Sequence, residues 1–233
     1  MRTLFLILAC SVCLGVQAAR PKPTDPKATR ETVSLFRNML QLQQKGLMFG
    51  HQDALPYGNG WFYDPGRSDV KDVCGDYPAV YGWELGHLEL GDALSLDSVR
   101  FDMIRKLILE AYQRGGINTI SWHHRNPLTG GTSWDVSSKE VVKSILPGGA
   151  KHALYLQYLG KLADFLLSLK TEDGKFVPVI FRPYHEHTGS WFWWGKNLCS
   201  VEEYKALWRM TVTYLRDTRQ LHRMSEQPCQ GAQ

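Results

Sequence analysis

Four times along the chain a short apolar run ends in a cluster of polar residues. Leu47-Met48-Phe49 leads into Gly50-His51-Gln52-Asp53, and Pro78 to Tyr81 into Gly82-Trp83-Glu84. Ile117 to Ser121 leads into Trp122-His123-His124, and Val177 to Phe181 into Arg182-Pro183-Tyr184-His185-Glu186-His187. Runs this uniformly apolar read as strands covered on both faces, the pattern of a parallel sheet. Helical periodicity fills the intervals. Val33, Phe36, Met39, Leu40 and Gln43 recur within Thr29 to Gln44, and Asp97 is placed to cap a helix through Met103, Ile104, Leu107, Ile108 and Ala111. A third helix carries Tyr155, Leu159, Leu162, Phe165, Leu166 and Leu169, and a fourth opens on Ser200 with Glu203 as a capping box and runs to Leu215. Alternating strands and helices define an α/β chain, and polar strand ends restrict it to a barrel or a doubly wound sheet. No glycine-rich phosphate loop follows the first strand, which favours the barrel.

Spacing limits how much barrel is expected. An eightfold barrel of ~250 residues spends about 31 per unit, and after Tyr184 too little chain remains for four more. The expectation is a partial (β/α)8 TIM barrel of roughly the first four βα units, over residues 29–215. Residues 216–233 are aperiodic where a fifth strand is due and read as a frame-shifted or disordered tail. An open half barrel is expected to leave Ile120, Val179 and Phe181 without an opposing layer.

The N-terminus follows a different pattern. Arg2, the apolar stretch Leu4 to Val16 and the small residues around Ala18 read as a secretory signal peptide over residues 1–18, followed by a Pro-rich linker over residues 19–28. The product is expected to be secreted or periplasmic. No later stretch reaches the ~18 to 20 apolar residues of a membrane span. Cys74, Cys199 and Cys229 would remain, an odd number whose spacing matches no zinc or redox motif. The net charge of +4 arises from dispersed charges, 27 basic and 23 acidic, which argues against a nucleic-acid partner.

The chemistry concentrates at the last strand end. Glu186 is followed by Gly189-Ser190-Trp191-Phe192-Trp193-Trp194-Gly195. A carboxyl group at a barrel strand end, walled by indole rings, has surroundings that raise its pKa toward a general acid. Glycosidic bond cleavage matches, because ring faces suit the apolar C–H faces of sugars and retaining hydrolysis pairs such an acid with a second carboxylate ~5 to 5.5 Å away. Four consecutive rings cannot all enter one core, so Trp191 and Trp194 are expected to meet substrate. His123 shares the rim with His185, while His51, with Gln52 and Asp53, either joins that rim or caps the next turn. Glu84 reads as rim hydrogen bonding. His185 and His187, two apart on a strand, also allow a metal-dependent barrel hydrolase, but no obvious carboxylate and lysine partners accompany them.

Together, Gly50-His51-Gln52-Asp53, Ser121-Trp122-His123 with Asn126-Pro127, and Arg182-Pro183-Tyr184-His185-Glu186 with the Trp-rich run resemble glycoside hydrolase family 26, the β-mannanases. The resemblance covers about residues 29–215. It implies a (β/α)8 barrel, retaining hydrolysis of β-1,4-mannosidic bonds in β-mannan or galactomannan, and no metal or other cofactor. Glu186 would be the acid/base, and His123, His185 and Trp191 would shape the subsite of the cleaved sugar. His124 receives no role. The family's nucleophile, a Glu on the seventh strand, has no counterpart here, so an incomplete catalytic domain, inactive alone, is expected. A non-catalytic glycan-binding fragment and a hydrolase of β-glucan or xylan are the alternatives.

Overall fold

The computed structural model describes residues 21–222 and 224–226; the leader and the last residues of the tail lie outside them. Helix α1 (Arg30–Leu42) is capped by Thr29, whose hydroxyl accepts from the Thr32 amide. Strand β1 (Gly50–Gln52) is followed by a hairpin of β2 (Tyr57–Gly58) and β3 (Trp61–Phe62) and by the short helix α2 (Asp69–Cys74). Strand β4 (Val80–Glu84), helix α3 (Phe101–Gln113) and strand β5 (Ile117–Ser121) come next. Helices α4 (Val141–Ile145) and α5 (His152–Leu167) lead to β6 (Val179–Arg182), and α6 (Val201–Thr213) to β7 (Met224–Glu226). The Ser200–Glu203 capping box at α6 is present in full. Helix α3 begins later than expected, capped at Arg100 and not at Asp97.

The main sheet is parallel, in the order β1-β4-β5-β6-β7. Each strand lies beside the one before it, with no reversal of direction across the sheet. This winding is that of a barrel wall and differs from a doubly wound sheet, whose order switches at its centre. Two expectations change. The apolar run Leu47-Met48-Phe49 precedes the first strand instead of forming it, and Leu47 and Phe49 are exposed. A fifth strand, β7, exists within the segment expected to be aperiodic, with Met224 beside Val179 and Glu226 beside Phe181.

Register divides the side chains between two faces. Residues paired across parallel strands share a face, so Tyr81, Trp83, Asn118, Ile120, Val179 and Phe181 lie together. That face meets the helices: Trp83 Nε1 donates to Asn118 Oδ1 at 2.7 Å, and the Asn118 amide donates to the carbonyl of Ile108 in α3. Ile120, Val179 and Phe181 are therefore buried beneath helices, contrary to their expected place inside the barrel. The opposite face carries Gln52, Gly82, Glu84, Thr119, Ser121, Ile180 and Arg182. It is largely small or polar, so the penalty expected from an open apolar interior does not arise.

Candidate active site

Glu84, at the end of β4, organises the centre of the rim. Its Oε1 accepts from the amides of Gly86 (2.6 Å) and His123 (2.7 Å), while Oε2 accepts from Ser121 Oγ (2.7 Å) and contacts His123 Nδ1 (2.8 Å). A Cβ at position 86 would stand 2.9 Å from Glu84 Oε1 and 2.8 Å from the His123 carbonyl, so this close turn requires glycine. Burial alone would raise the pKa of Glu84; the hydrogen bonds from His123 and Ser121 outweigh it and hold the group below its ordinary value. An ionised Glu84 can only accept, so Nδ1 of His123 carries a proton and donates it.

His123 then presents Nε2 to Nε2 of His185, 3.0 Å away. Burial, reinforced by the charges of His123 and Arg182, lowers the His185 pKa to about 4, which keeps it neutral near pH 7. In the neutral pair the Nε2–H of His185 donates to His123, and His185 Nδ1 has no partner. One edge of the His123 ring is thus fixed by a carboxylate and the other by a second imidazole.

Glu186 lies in the next turn of chain. Strand β6 ends at Arg182, and both Tyr184 (φ 51°) and Glu186 (φ 56°) adopt left-handed backbone, a costly geometry concentrated at functional sites. This twist cancels strand alternation after residue 182. His185 turns inward to His123, whereas His187 stacks on Tyr204 at 4.4 Å, so the two histidines do not converge as a ligand pair. Glu186 is exposed and accepts from Trp191 Nε1 at 2.9 Å. The burial against rings expected for it is not found.

The aromatic run divides unevenly. Trp191 is 51% exposed, but Phe192, Trp193 and Trp194 are buried. Three of the four rings enter the core and one does not, so the four do not all share it, but the exposed ring is Trp191 alone. Trp194, expected to meet substrate, lies instead beneath the site, donating from Nε1 to the His185 carbonyl at 2.9 Å. Phe192 joins the centre, with ring centroids 5.1 Å from His123, 5.4 Å from His185 and 6.4 Å from Trp191. Glu186, Trp191, His185 and His123 therefore share one rim.

His51 does not belong to it. His51 pairs with Tyr81 and shares its helix-side face, where it lines a surface hollow with Asp69 of α2. Gln52, one residue on, occupies the barrel side. Asp53 is buried with φ 46°, and burial together with neighbouring Asp97 pushes its pKa up to about 8.

Two contributors were not anticipated. Trp134, 48% exposed, lies almost parallel to the His123 ring at 5.1 Å and 6°. A lone Trp after Gly130-Gly131-Thr132-Ser133, in the loop following a strand end, was the available signal. His124 is wholly buried between Trp122 (3.8 Å) and Trp194 (5.4 Å), with Nδ1 on the Trp122 carbonyl and Nε2 on the Tyr155 hydroxyl. Burial lowers its pKa to about 3. Tyr155 continues to Tyr184, which meets Thr211 of α6 at 2.6 Å. This chain of hydrogen bonds ties the rim to the helix layer. Among the described residues no group of three potential metal ligands converges.

Residues 24–225 match the family model described as glycosyl hydrolase family 26. A mannan endo-1,4-beta-mannosidase of Bifidobacterium adolescentis is 36% identical over 206 residues, covering 86% of this chain and 20% of that protein. One from Bacillus subtilis strain 168 is 28% identical, covering 94% and 62%. Among solved structures, a GH26 beta-mannanase from Bacteroides ovatus superposes with a TM-score of 0.83 at 54% identity, covering 85% of this chain and 57% of that one. An endo-beta-1,4-mannanase of Cellulomonas fimi gives 0.80 at 36% identity, covering 88% and 46%. The chain thus spans less than two thirds of the length of these relatives.

Proposed function

The chain belongs to glycosyl hydrolase family 26, and from that premise we propose that its rim is the acid/base and sugar-binding part of an endo-acting, retaining β-1,4-mannan hydrolase. The observation that carries this reading is the joint placement of Glu186, Trp191, His123 and His185 at the strand ends, beside the exposed ring of Trp134. Glu186 is the group that protonates the departing glycosidic oxygen and then activates water. Its accessibility suits contact with a bond held outside the protein wall, and the Trp191 indole N–H fixes one carboxyl oxygen so that the other faces the cleft. His123, held through both ring nitrogens by Glu84 and His185, forms a rigid wall of the sugar site, and Trp134 and Trp191 offer faces for pyranose rings.

Glu84 does not serve as the second carboxylate that retention requires, because both its oxygens are engaged beneath His123. The substrate under this reading is β-mannan or galactomannan. The apolar leader and the small residues near Ala18 make export part of the same proposal, and no helix among the described residues is long and apolar enough to cross a membrane.

Calorimetric titration of the purified chain with mannohexaose, cellohexaose and xylohexaose tests the substrate class. Preference for mannohexaose, lost in Trp191→Ala and His123→Ala, is the expected result; equal affinity for all three sugars would overturn the mannan assignment. Reducing-end release from mannan tests the acid: any release by the wild type must disappear in Glu186→Ala.

A further inference from the structure

Beyond the Glu186 centre, we propose that Phe62, paired with Tyr57, is a second sugar-stacking platform that takes a distal unit of the same mannan chain. The inference rests on the mannan reading above. The β2–β3 hairpin leaves the carboxyl end of β1 through Asp53, so it rises from the rim that carries Glu84, His123 and Glu186. Tyr57 and Phe62 are cross-strand partners, which puts their rings on one face, with centroids 6.2 Å apart and planes within 23°. Phe62 is 51% exposed.

The other face of the hairpin is anchored. Trp61 is buried and donates from Nε1 to Asp69 Oδ1 at 2.6 Å, and the Asn59 amide donates to Asp69 Oδ2 at 2.8 Å. A Cβ at Gly58 would lie 2.3 Å from both Asp69 Oδ1 and Trp61 Nε1, so only glycine permits this seating. The Tyr63 amide closes on the Pro56 carbonyl at 2.7 Å, and the Tyr63 hydroxyl accepts from the Arg100 amide at 3.0 Å. A hairpin of two-residue strands is marginal by itself. Here it is held by charged and backbone hydrogen bonds, and the Phe62 ring, in contact with Tyr57 and with Tyr63 at 4.0 Å, keeps half of its surface open to water. Burial of Phe62 does not account for that arrangement; presentation of an apolar face to a ligand does.

Hydrogen bonds tie the hairpin to the centre. Tyr57 donates to Asp53 Oδ2 at 3.2 Å, and the Asp53 amide donates at 2.9 Å to the carbonyl of Gly82 in β4, two residues before Glu84. The hairpin therefore springs from beside β4, whose end carries Glu84 and, through it, His123. Under this proposal a polysaccharide that stacks on Trp134 and Trp191 continues to Phe62, so the platform is felt only by chains long enough to reach both.

The test is calorimetric titration of wild type, Phe62→Ala and Phe62→Trp with mannobiose, mannotriose, mannopentaose and mannohexaose. Phe62→Ala is expected to bind the two longer sugars about threefold to tenfold more weakly and the two shorter ones as the wild type does, with Phe62→Trp restoring the long-chain affinity. An unchanged thermal midpoint, expected for an exposed position, certifies the fold. Equal affinities of wild type and Phe62→Ala at every length overturn the platform and leave the mannan reading standing. A loss of the same size at every length also overturns it, since Phe62 would then act on the centre. A wild type without affinity for any of these sugars overturns the mannan reading and this inference together.

Discussion

The Nε2 atoms of His123 and His185 meet at 3.0 Å with their ring planes 86° apart. Two imidazoles cannot both be charged at that distance without strong repulsion, and the more buried of them, His185, is the one held neutral. Glu84 completes the arrangement from the far side of His123. The rim thus has a polar core joined by hydrogen bonds, around which the exposed groups Glu186, Trp191 and Trp134 are arranged.

Glu84→Gln is expected to destabilise the fold by about 1 to 3 kcal/mol, because the amide nitrogen would face N–H donors now served by a carboxylate oxygen. The wild-type carboxylate has a folded pKa below its ordinary value of 4.5. Its contribution is present above pH 4.5 and is lost as the pH falls through the depressed folded value. Urea unfolding should therefore show the cost at pH 7 and a smaller difference between the two proteins at acid pH. Nitrogen-15 NMR of the His123 ring should report protonated Nδ1 in the wild type and a mixed tautomer in the variant. A wild-type tautomer in Glu84→Gln would mean that His185 alone sets it.

His124 gives a pH dependence across a wider window. Its pKa falls from 6.5 to about 3 on burial, so the unfolded chain binds a proton that the folded chain refuses between those values. Stability from this group is complete above pH 6.5 and declines toward pH 3, by on the order of a few kcal/mol. His124→Phe keeps a flat ring between Trp122 and Trp194 and should flatten the urea midpoint between pH 7 and pH 4. Parallel profiles for the two proteins would assign the acid sensitivity elsewhere.

Asp53 acts with the opposite sign. Its pKa is raised from 3.8 to about 8, so its contribution is full below pH 3.8 and is lost as the pH rises through about 8. Asp53→Asn keeps an acceptor for the Tyr57 hydroxyl, and Asn tolerates the left-handed backbone at this position. The variant should therefore gain stability over the wild type at pH 8 and lose most of that gain at pH 5, measured by thermal unfolding in matched buffers. A gain independent of pH would trace the effect to backbone preference and not to the carboxyl group.

Much of this architecture is legible in the amino-acid sequence. The strand order, the Ser200–Glu203 cap and the meeting of Glu186, His123 and His185 on one rim follow from periodicity and from polar residues at strand ends. What sequence reasoning missed shares a physical origin: short strands leave parity undefined. Because β1 has only three residues, a shift from the Leu47 run to Gly50–Gln52 decides that Gln52, and not His51, lies on the barrel side. The left-handed turns at Tyr184 and Glu186 similarly defeat alternation beyond Arg182. Strand β7 carries Met224, Ser225 and Glu226, too few residues and too polar to register as an apolar run, yet it is specified by pairing with the buried β6. Composition also cannot tell an exposed Trp from a buried one within Trp191-Phe192-Trp193-Trp194.

That last distinction yields a prediction in which two tryptophans on one rim behave oppositely. Trp134 is half exposed and touches the centre through its face against His123 and Phe192. Its removal uncovers little core, so Trp134→Ala should leave the thermal midpoint within a few degrees while weakening mannohexaose binding about tenfold or more, the loss of one stacking face plus the free flank of His123. Trp194 is wholly buried, stacks on Phe192 at 4.7 Å and anchors the His185 carbonyl. Trp194→Phe loses that hydrogen bond and leaves a void the size of the missing ring, which should cost about 2 to 4 kcal/mol of stability. Sugar affinity of the folded fraction should change far less, because the indole never meets the ligand. Urea unfolding and calorimetric titration of both variants under one set of conditions separate the two effects. Were Trp134→Ala to unfold the protein while Trp194→Phe lost binding at full stability, the division into rings that contact sugar and rings that support them would have to be reversed.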